Sequence, residues 1–94
     1  MEIKTRAVAG TSESSDITII LEPSDSNEIN INLTSSAEKQ FGRQIRKVIN
    51  NTLMELGITR ANVTAIDFGA LDCVIKARVQ TAAYRAAESK EYKW

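Results

Sequence analysis

Apolar positions recur every second residue early in the chain and every third or fourth later on. Ile17, Ile19 and Leu21 alternate with Thr18, Ile20 and Glu22. After Pro23-Ser24-Asp25-Ser26-Asn27 the alternation resumes as Ile29, Ile31 and Leu33 against Asn30, Asn32 and Thr34. Period two on both sides of a turn predicts two strands joined as a hairpin, the second with a wetter Asn/Thr face. A weaker strand is predicted within residues 3–9, and the small polar residues of 10–16 then read as an exposed loop at a hairpin tip.

Ser35 stands three residues before Glu38, the capping-box spacing, so a helix is predicted to open there. Phe41, Ile45, Val48, Ile49, Thr52, Leu53 and Leu56 share one face of it, Gly57 ends it, and Lys39, Arg43, Arg46 and Lys47 line the opposite flank. A short strand follows at about 62–67, with poor alternation. A second helix starts near Gly69, its apolar side running through Leu71, Val74, Ile75, Val79, Ala82, Ala83 and Ala86 with Arg78 as an interruption. The polar tail at 88–94 is expected to fray. The resulting β-β-β-α-β-α order predicts an α+β two-layer sandwich, a small mostly antiparallel sheet covered by two helices, in one domain spanning 1–94.

Composition then narrows the chemistry. Twelve Lys+Arg balance twelve Asp+Glu, against the strongly basic balance of a dedicated nucleic-acid binder. There is no histidine, which excludes Ser-His-Asp or Cys-His catalysis and His-ligated metal. Cys73, the single cysteine, cannot pair internally and is expected to be a buried small apolar residue. The glycines are too dispersed for a phosphate-binding loop. The pairs Glu13/Asp16 and Asp67/Asp72 read as solvated or capping groups, so no catalytic residue and no metal site is assigned. No apolar run approaches membrane-spanning length and the charged start lacks the apolar core of a secretory signal, so the expectation is a cytoplasmic protein with no membrane partner. An exposed serine in the 10–16 loop is, on spacing alone, simply part of a loop.

A resemblance changes that weighting. Ala7-Val8-Ala9-Gly10-Thr11 with Glu13-Ser14 and Asp16, then Ser36, Glu38-Lys39-Gln40-Phe41-Gly42 and Ile45-Arg46, then Gly69-Ala70-Leu71-Asp72-Cys73 and Ala77-Arg78, closely resemble the acyl carrier protein (gamma subunit) of citrate lyase. The three ordered blocks spread over most of the chain. The resemblance implies that Ser14 is the cofactor-binding residue. It would carry, through a phosphodiester, an arm derived from 2'-(5''-triphosphoribosyl)-3'-dephospho-coenzyme A, with Ser12 and Ser15 as flanking hydroxyls. It further implies a phosphoprotein of citrate fermentation whose arm holds acetyl and citryl thioesters while citrate is cleaved to oxaloacetate and acetate. The carrier itself would be non-catalytic. The implied partners are the alpha (acyl transferase) and beta (citryl lyase) subunits, a prosthetic-group transferase and an acetylating ligase, and no nucleic acid.

Ordinary fatty-acid carriers resemble four-helix bundles with an Asp-Ser-Leu motif, whereas this chain places Asp25-Ser26-Asn27 in a turn between strands. The nearest alternative is the carrier subunit of a malonate decarboxylase-like complex. Outside the class stands a protein- or RNA-binding α+β module using the basic flank of the first helix. Because Glu13 and Asp16 flank Ser14, repulsion is expected to direct the arm's phosphates into solvent, with cations supplied by the partner subunits.

Overall fold

Six elements follow one another in the computed structural model, which describes residues 1–88: β1 (Ala7–Ala9), β2 (Ile17–Glu22), β3 (Ile29–Ser35), α1 (Glu38–Glu55), β4 (Ala61–Asp67) and α2 (Asp72–Ala86). Apart from Glu88, the tail expected to fray lies outside the described residues. The β-β-β-α-β-α order matches the pattern of periods. The first strand is shorter than predicted, covering only the last three residues of 3–9.

The sheet order is β1-β2-β4-β3. β1 and β2 form the antiparallel hairpin that the 10–16 loop closes, β2 pairs antiparallel with β4, and β3 pairs parallel with β4. The predicted hairpin between β2 and β3 does not form. The reason lies in α1: a strand-helix-strand crossover delivers the second strand parallel to the first and beside it, so β4 occupies the place a hairpin would give to β2. Alternation identifies a strand and its buried face, not its neighbour. The 23–28 linker instead steps across the start of β4. There the Asn62 side-chain amide donates to the Pro23 carbonyl at 3.3 Å, and the Asn30 amide donates to Asn62 Oδ1 at 3.2 Å and to Ser26 Oγ at 3.0 Å.

Both helices cover one face of this sheet. Ile17, Ile19 and Leu21 of β2 and Ala61, Val63 and Ala65 of β4 point into a core with Ile45, Ile49 and Leu53 of α1 and Ile75, Val79, Ala82, Ala83 and Ala86 of α2. The buried positions of β4 alternate regularly, but two of them are alanines, which lets the helices approach closely and hides the alternation from a hydropathy reading. The other face keeps Thr18, Ile20, Thr64 and Ile66 half-buried and Asn32 and Thr34 exposed.

Several helix expectations are corrected. β3 runs through Ser35, and α1 begins at Glu38 behind Ala37, which makes no side-chain cap. Ser35 Oγ instead accepts the Ala37 N–H at 3.1 Å and donates to Asp67 at 2.9 Å, while Glu38 pairs with Arg46 at 2.7 Å. Phe41 is 50% exposed, since Gly42 takes the inward position one residue on. Leu71 lies outside α2 and is 69% exposed. Cys73 is exposed as well, on the outer side of the first turn of α2.

The phase of α1 gives a stability contrast between adjacent residues. Leu53 is fully buried and Met54 is 61% exposed. Leu53→Ala is expected to cost about 2–5 kcal/mol and Met54→Ala less than about 0.5 kcal/mol, read from urea midpoints at constant slope.

Candidate functional site

The loop at 10–16 is ordered by one carboxylate. Asp16 accepts hydrogen bonds from the Thr11 N–H (3.1 Å), the Thr11 hydroxyl (2.6 Å), the Ile17 N–H (2.7 Å), and Nε and Nη2 of Arg78 (2.9 and 2.8 Å). The Asp16 side chain is 11% exposed. The Arg78 and Thr11 bonds hold its carboxyl well below the usual aspartate range, against a burial penalty that acts the other way. Arg78 is pushed upward by the same pair. The loop is further tied by the Thr18 hydroxyl donating to the Thr11 carbonyl at 2.9 Å and by the Glu13 N–H donating to Thr11 Oγ1 at 3.2 Å. Arg85 holds β1 to α2 by donating to the Val8 carbonyl at 2.8 Å.

Two backbone features complete the shape. Gly10 has φ +98, and a Cβ there would lie 1.8 Å from the Ile17 carbonyl oxygen, so only glycine fits. Residues 13–16 form a turn closed by the Asp16 N–H on the Glu13 carbonyl at 3.2 Å, with Ser15 in the left-handed region at φ 67. The Ser15 N–H donates to the Phe68 carbonyl (2.8 Å) and the Phe68 N–H donates to the Asp16 carbonyl (2.9 Å). Two loop residues thus face one residue beyond β4, the pattern of a bulge whose first residue is left-handed and usually glycine. Ser14 occupies the outer corner of this turn.

Ser12, Glu13, Ser14 and Ser15 are all exposed, and the Ser14 hydroxyl has no hydrogen-bond partner among the described residues. A free, outward hydroxyl on a braced turn is a group another protein can reach and modify. The expectation of two free carboxylates beside Ser14 holds for Glu13 only, because Asp16 is buried in its ion pair. The paired acids of the sequence do not act as pairs: Asp67 is buried and accepts from Ser35 and the Ala70 N–H, while Asp72 accepts from Gln44. On α1, Lys39, Arg43 and Lys47 are exposed and Arg46 is half-buried against Glu38. Close by, Phe41 and Leu71 rim an apolar cleft of about 410 Å³ between the starts of the two helices.

Thr11 and Arg78 are the loop-bracing residues that residue patterns miss. Arg78 reads as a flaw in an apolar helix face, yet an arginine at such a position calls for a buried acid from another element. The signal was there, but its partner lies 62 residues away.

The architecture corresponds to an acyl carrier domain. A family model described as malonate decarboxylase delta subunit (MdcD), of the acyl carrier type, matches residues 4–86. A chain of a Pseudomonas malonate decarboxylase hetero-tetramer, solved in complex with malonate, superposes with a TM-score of 0.65 over 89% of this chain and 86% of that one. At 18% identity, that likeness shows the fold. More particularly, the citrate lyase acyl carrier protein of Streptococcus mutans is 57% identical over all 94 residues, 92% of that relative's length. The one from Streptococcus pyogenes serotype M5 is 52% identical with the same coverage. The chain belongs to the citrate lyase acyl carrier protein family, whose members are carriers and not themselves catalysts.

The ion pair makes stability depend on acid. Because the folded-state pKa of Asp16 is depressed, its contribution is complete above the unfolded value of about 3.9 and is lost as pH falls below it. In urea titrations from pH 6 downward, the stability gap between the native chain and Asp16→Asn is expected to stay constant to about pH 4.5 and then narrow.

Proposed function

We propose that this chain is the acyl carrier subunit of a citrate lyase complex, and that Ser14 bears an arm derived from 2'-(5''-triphosphoribosyl)-3'-dephospho-coenzyme A through a phosphodiester. The observation that carries the reading is the Ser14 turn: an exposed, unbonded hydroxyl braced from both sides by Asp16, on a chain of the citrate lyase acyl carrier family. The residues present fit such a group. The hydroxyl oxygen can form a phosphodiester, and the turn's outer corner leaves room for a long substituent. When bound, the arm supplies a terminal thiol for acyl thioester chemistry.

The chain's own residues orient and present. Gly10, Thr11 and Asp16 fix the turn, Arg78 anchors it to α2, and Glu13 is the exposed negative charge beside the attachment oxygen. Glu13 repels the phosphates, while the Asp16 charge is already compensated, so the solvent-directed arm rests on one carboxylate rather than two. The domain needs no acid, base or metal of its own, because acyl transfer and citrate cleavage fall to the alpha and beta subunits. Attachment falls to a transferase and re-acetylation to a ligase, all in the cytoplasm during citrate fermentation.

The family model's description and the shared fold with the malonate decarboxylase chain favour one second reading, a carrier in a malonate decarboxylase-like complex. Co-expression with the citrate lyase prosthetic-group transferase is expected to raise the intact mass by one arm in the native chain and by nothing in Ser14→Ala. Ser12→Ala and Ser15→Ala should still be labelled. Labelling of Ser14→Ala would move the site, and co-purification with malonate decarboxylase subunits instead of citrate lyase alpha and beta subunits would select the second reading.

A further inference from the structure

We propose that Arg78, acting through Asp16, is a positioning residue for the attachment step, holding the Ser14 turn in the shape that the prosthetic-group transferase recognises. The inference rests on the reading of Ser14 as the attachment site and adds a role for a residue on another element. In that step the Ser14 oxygen bonds to the ribose-linked phosphorus of the triphosphate donor. Diphosphate leaves with the electrons of the broken P–O bond, and the hydroxyl proton passes to a base of the transferase.

The 10–16 loop does not hold itself. It is polar and exposed from residue 11 to 15, and Gly10 and Ser15 both adopt positive φ, which for Ser15 is intrinsically unfavourable. Ordering such a segment costs about 1–2 kcal/mol per residue in backbone entropy. Backbone bonds to Glu13 and Phe68 hold residues 13–16, and the side-chain bonds that oppose the rest of that cost are gathered mainly on Asp16, which lies two residues after Ser14 and binds Thr11, three residues before it, as well as Ile17 at the start of β2. One carboxylate thus closes the loop on both sides of the acceptor serine.

The carboxylate is in turn oriented by Arg78. Its Nε and Nη2 meet the two Asp16 oxygens separately, a bidentate geometry that fixes the plane of the carboxylate and aims one oxygen at Ile17 and the other at Thr11. The other two ion pairs among the described residues, Arg46–Glu38 and Lys76–Glu55, join side chains 43–59% exposed and brace no loop. Without the guanidinium, a buried carboxylate loses its compensating charge and turns toward water, releasing Thr11. The loop then samples many shapes, and the transferase binds only the fraction that matches.

The test is the kinetics of arm attachment to purified apo chain, with the carrier as varied substrate and the triphosphoribosyl donor saturating. Arg78→Ala is expected to raise KM for the carrier tenfold or more while kcat stays within twofold. Arg78→Lys recovers part of the loss, since it keeps the charge but not the fork. Thr11→Val, a milder change that removes one donor to Asp16 and serves if Arg78→Ala does not fold, should move KM the same way by less. In hydrogen exchange, the Thr11 and Ile17 amides should lose protection in Arg78→Ala while the Val63 amide in β4 keeps its own. A pair that only stabilised the fold would change the unfolding midpoint and leave KM of the folded carrier alone. Native KM in both Arg78→Ala and Thr11→Val, with Ser14→Ala inert, would overturn the positioning role and leave the attachment site standing; labelling of Ser14→Ala would overturn both.

Discussion

The bond between Asp16 and Arg78 is the constraint on which the end of the molecule that carries the Ser14 turn depends. It joins the loop between the first two strands to the last helix, and it does so with a charge pair where an apolar contact would also have filled space. With the Asp16 side chain 11% exposed and that of Arg78 38% exposed, the pair contributes little net stability over a well-packed apolar substitute, because desolvation of the carboxylate and screening of the guanidinium offset most of the attraction. What the pair adds is direction. An apolar side chain at residue 16 could not receive the two Thr11 donors and the Ile17 N–H, and the turn carrying Ser14 would keep only its backbone bonds to Glu13 and Phe68, with the Thr11 side of the loop held by the Thr18 hydroxyl.

The topology brings these parts to one end of the sheet. β2 begins where β4 ends, since Ile17 pairs with Asp67, and β3 ends beside them, since Ser35 pairs with Asp67 from the other side. The chain then passes from Phe68 to the start of α2, so the serine turn, the end of the sheet and the cleft rimmed by Phe41 and Leu71 lie together. At the other end of α2 the Ala86 carbonyl accepts from the Lys4 and Thr5 amides, fastening the segment before β1 to the same helix. α2 is therefore held to the hairpin it supports near its middle, through Arg78, and at its C-terminal end, through Arg85 and Ala86.

The kinds and order of elements were legible in the sequence because each has its own period, and the loop at 10–16 because its residues cannot pack. Strand neighbours were not legible: Ile17-Thr18-Ile19 reads identically whether β3 or β4 lies beside it. That choice depends on where α1 returns the chain, which is a property of the whole fold. The start of α1 was misplaced because Ser35 bonds equally well to a helix amide or to Asp67, and the residue competing for it is 32 positions away. The proposal of Ser14 rests on the resemblance, as Ser12, Ser14 and Ser15 are all exposed and periodicity does not rank them. Asp16 looked like a surface acid because its partner belongs to another element.

The division between rigid and flexible parts follows from these bonds. A tethered group is delivered to several enzymes most effectively when the tether alone moves, since every freely jointed residue added at its base spreads the thiol through a larger volume. For short flexible links the local concentration is on the order of millimolar, and it falls with about the −3/2 power of the effective length. A loose loop of seven residues at the base would lengthen the tether without adding chemistry. With the arm on Ser14, as proposed, bracing that residue between Thr11 and Asp16 would stop the motion at the serine oxygen and leave reach to the arm. On that reading, a domain of this size places a half-buried charge pair on a surface loop because the loop's shape, more than the stability of the core, would decide where the arm begins.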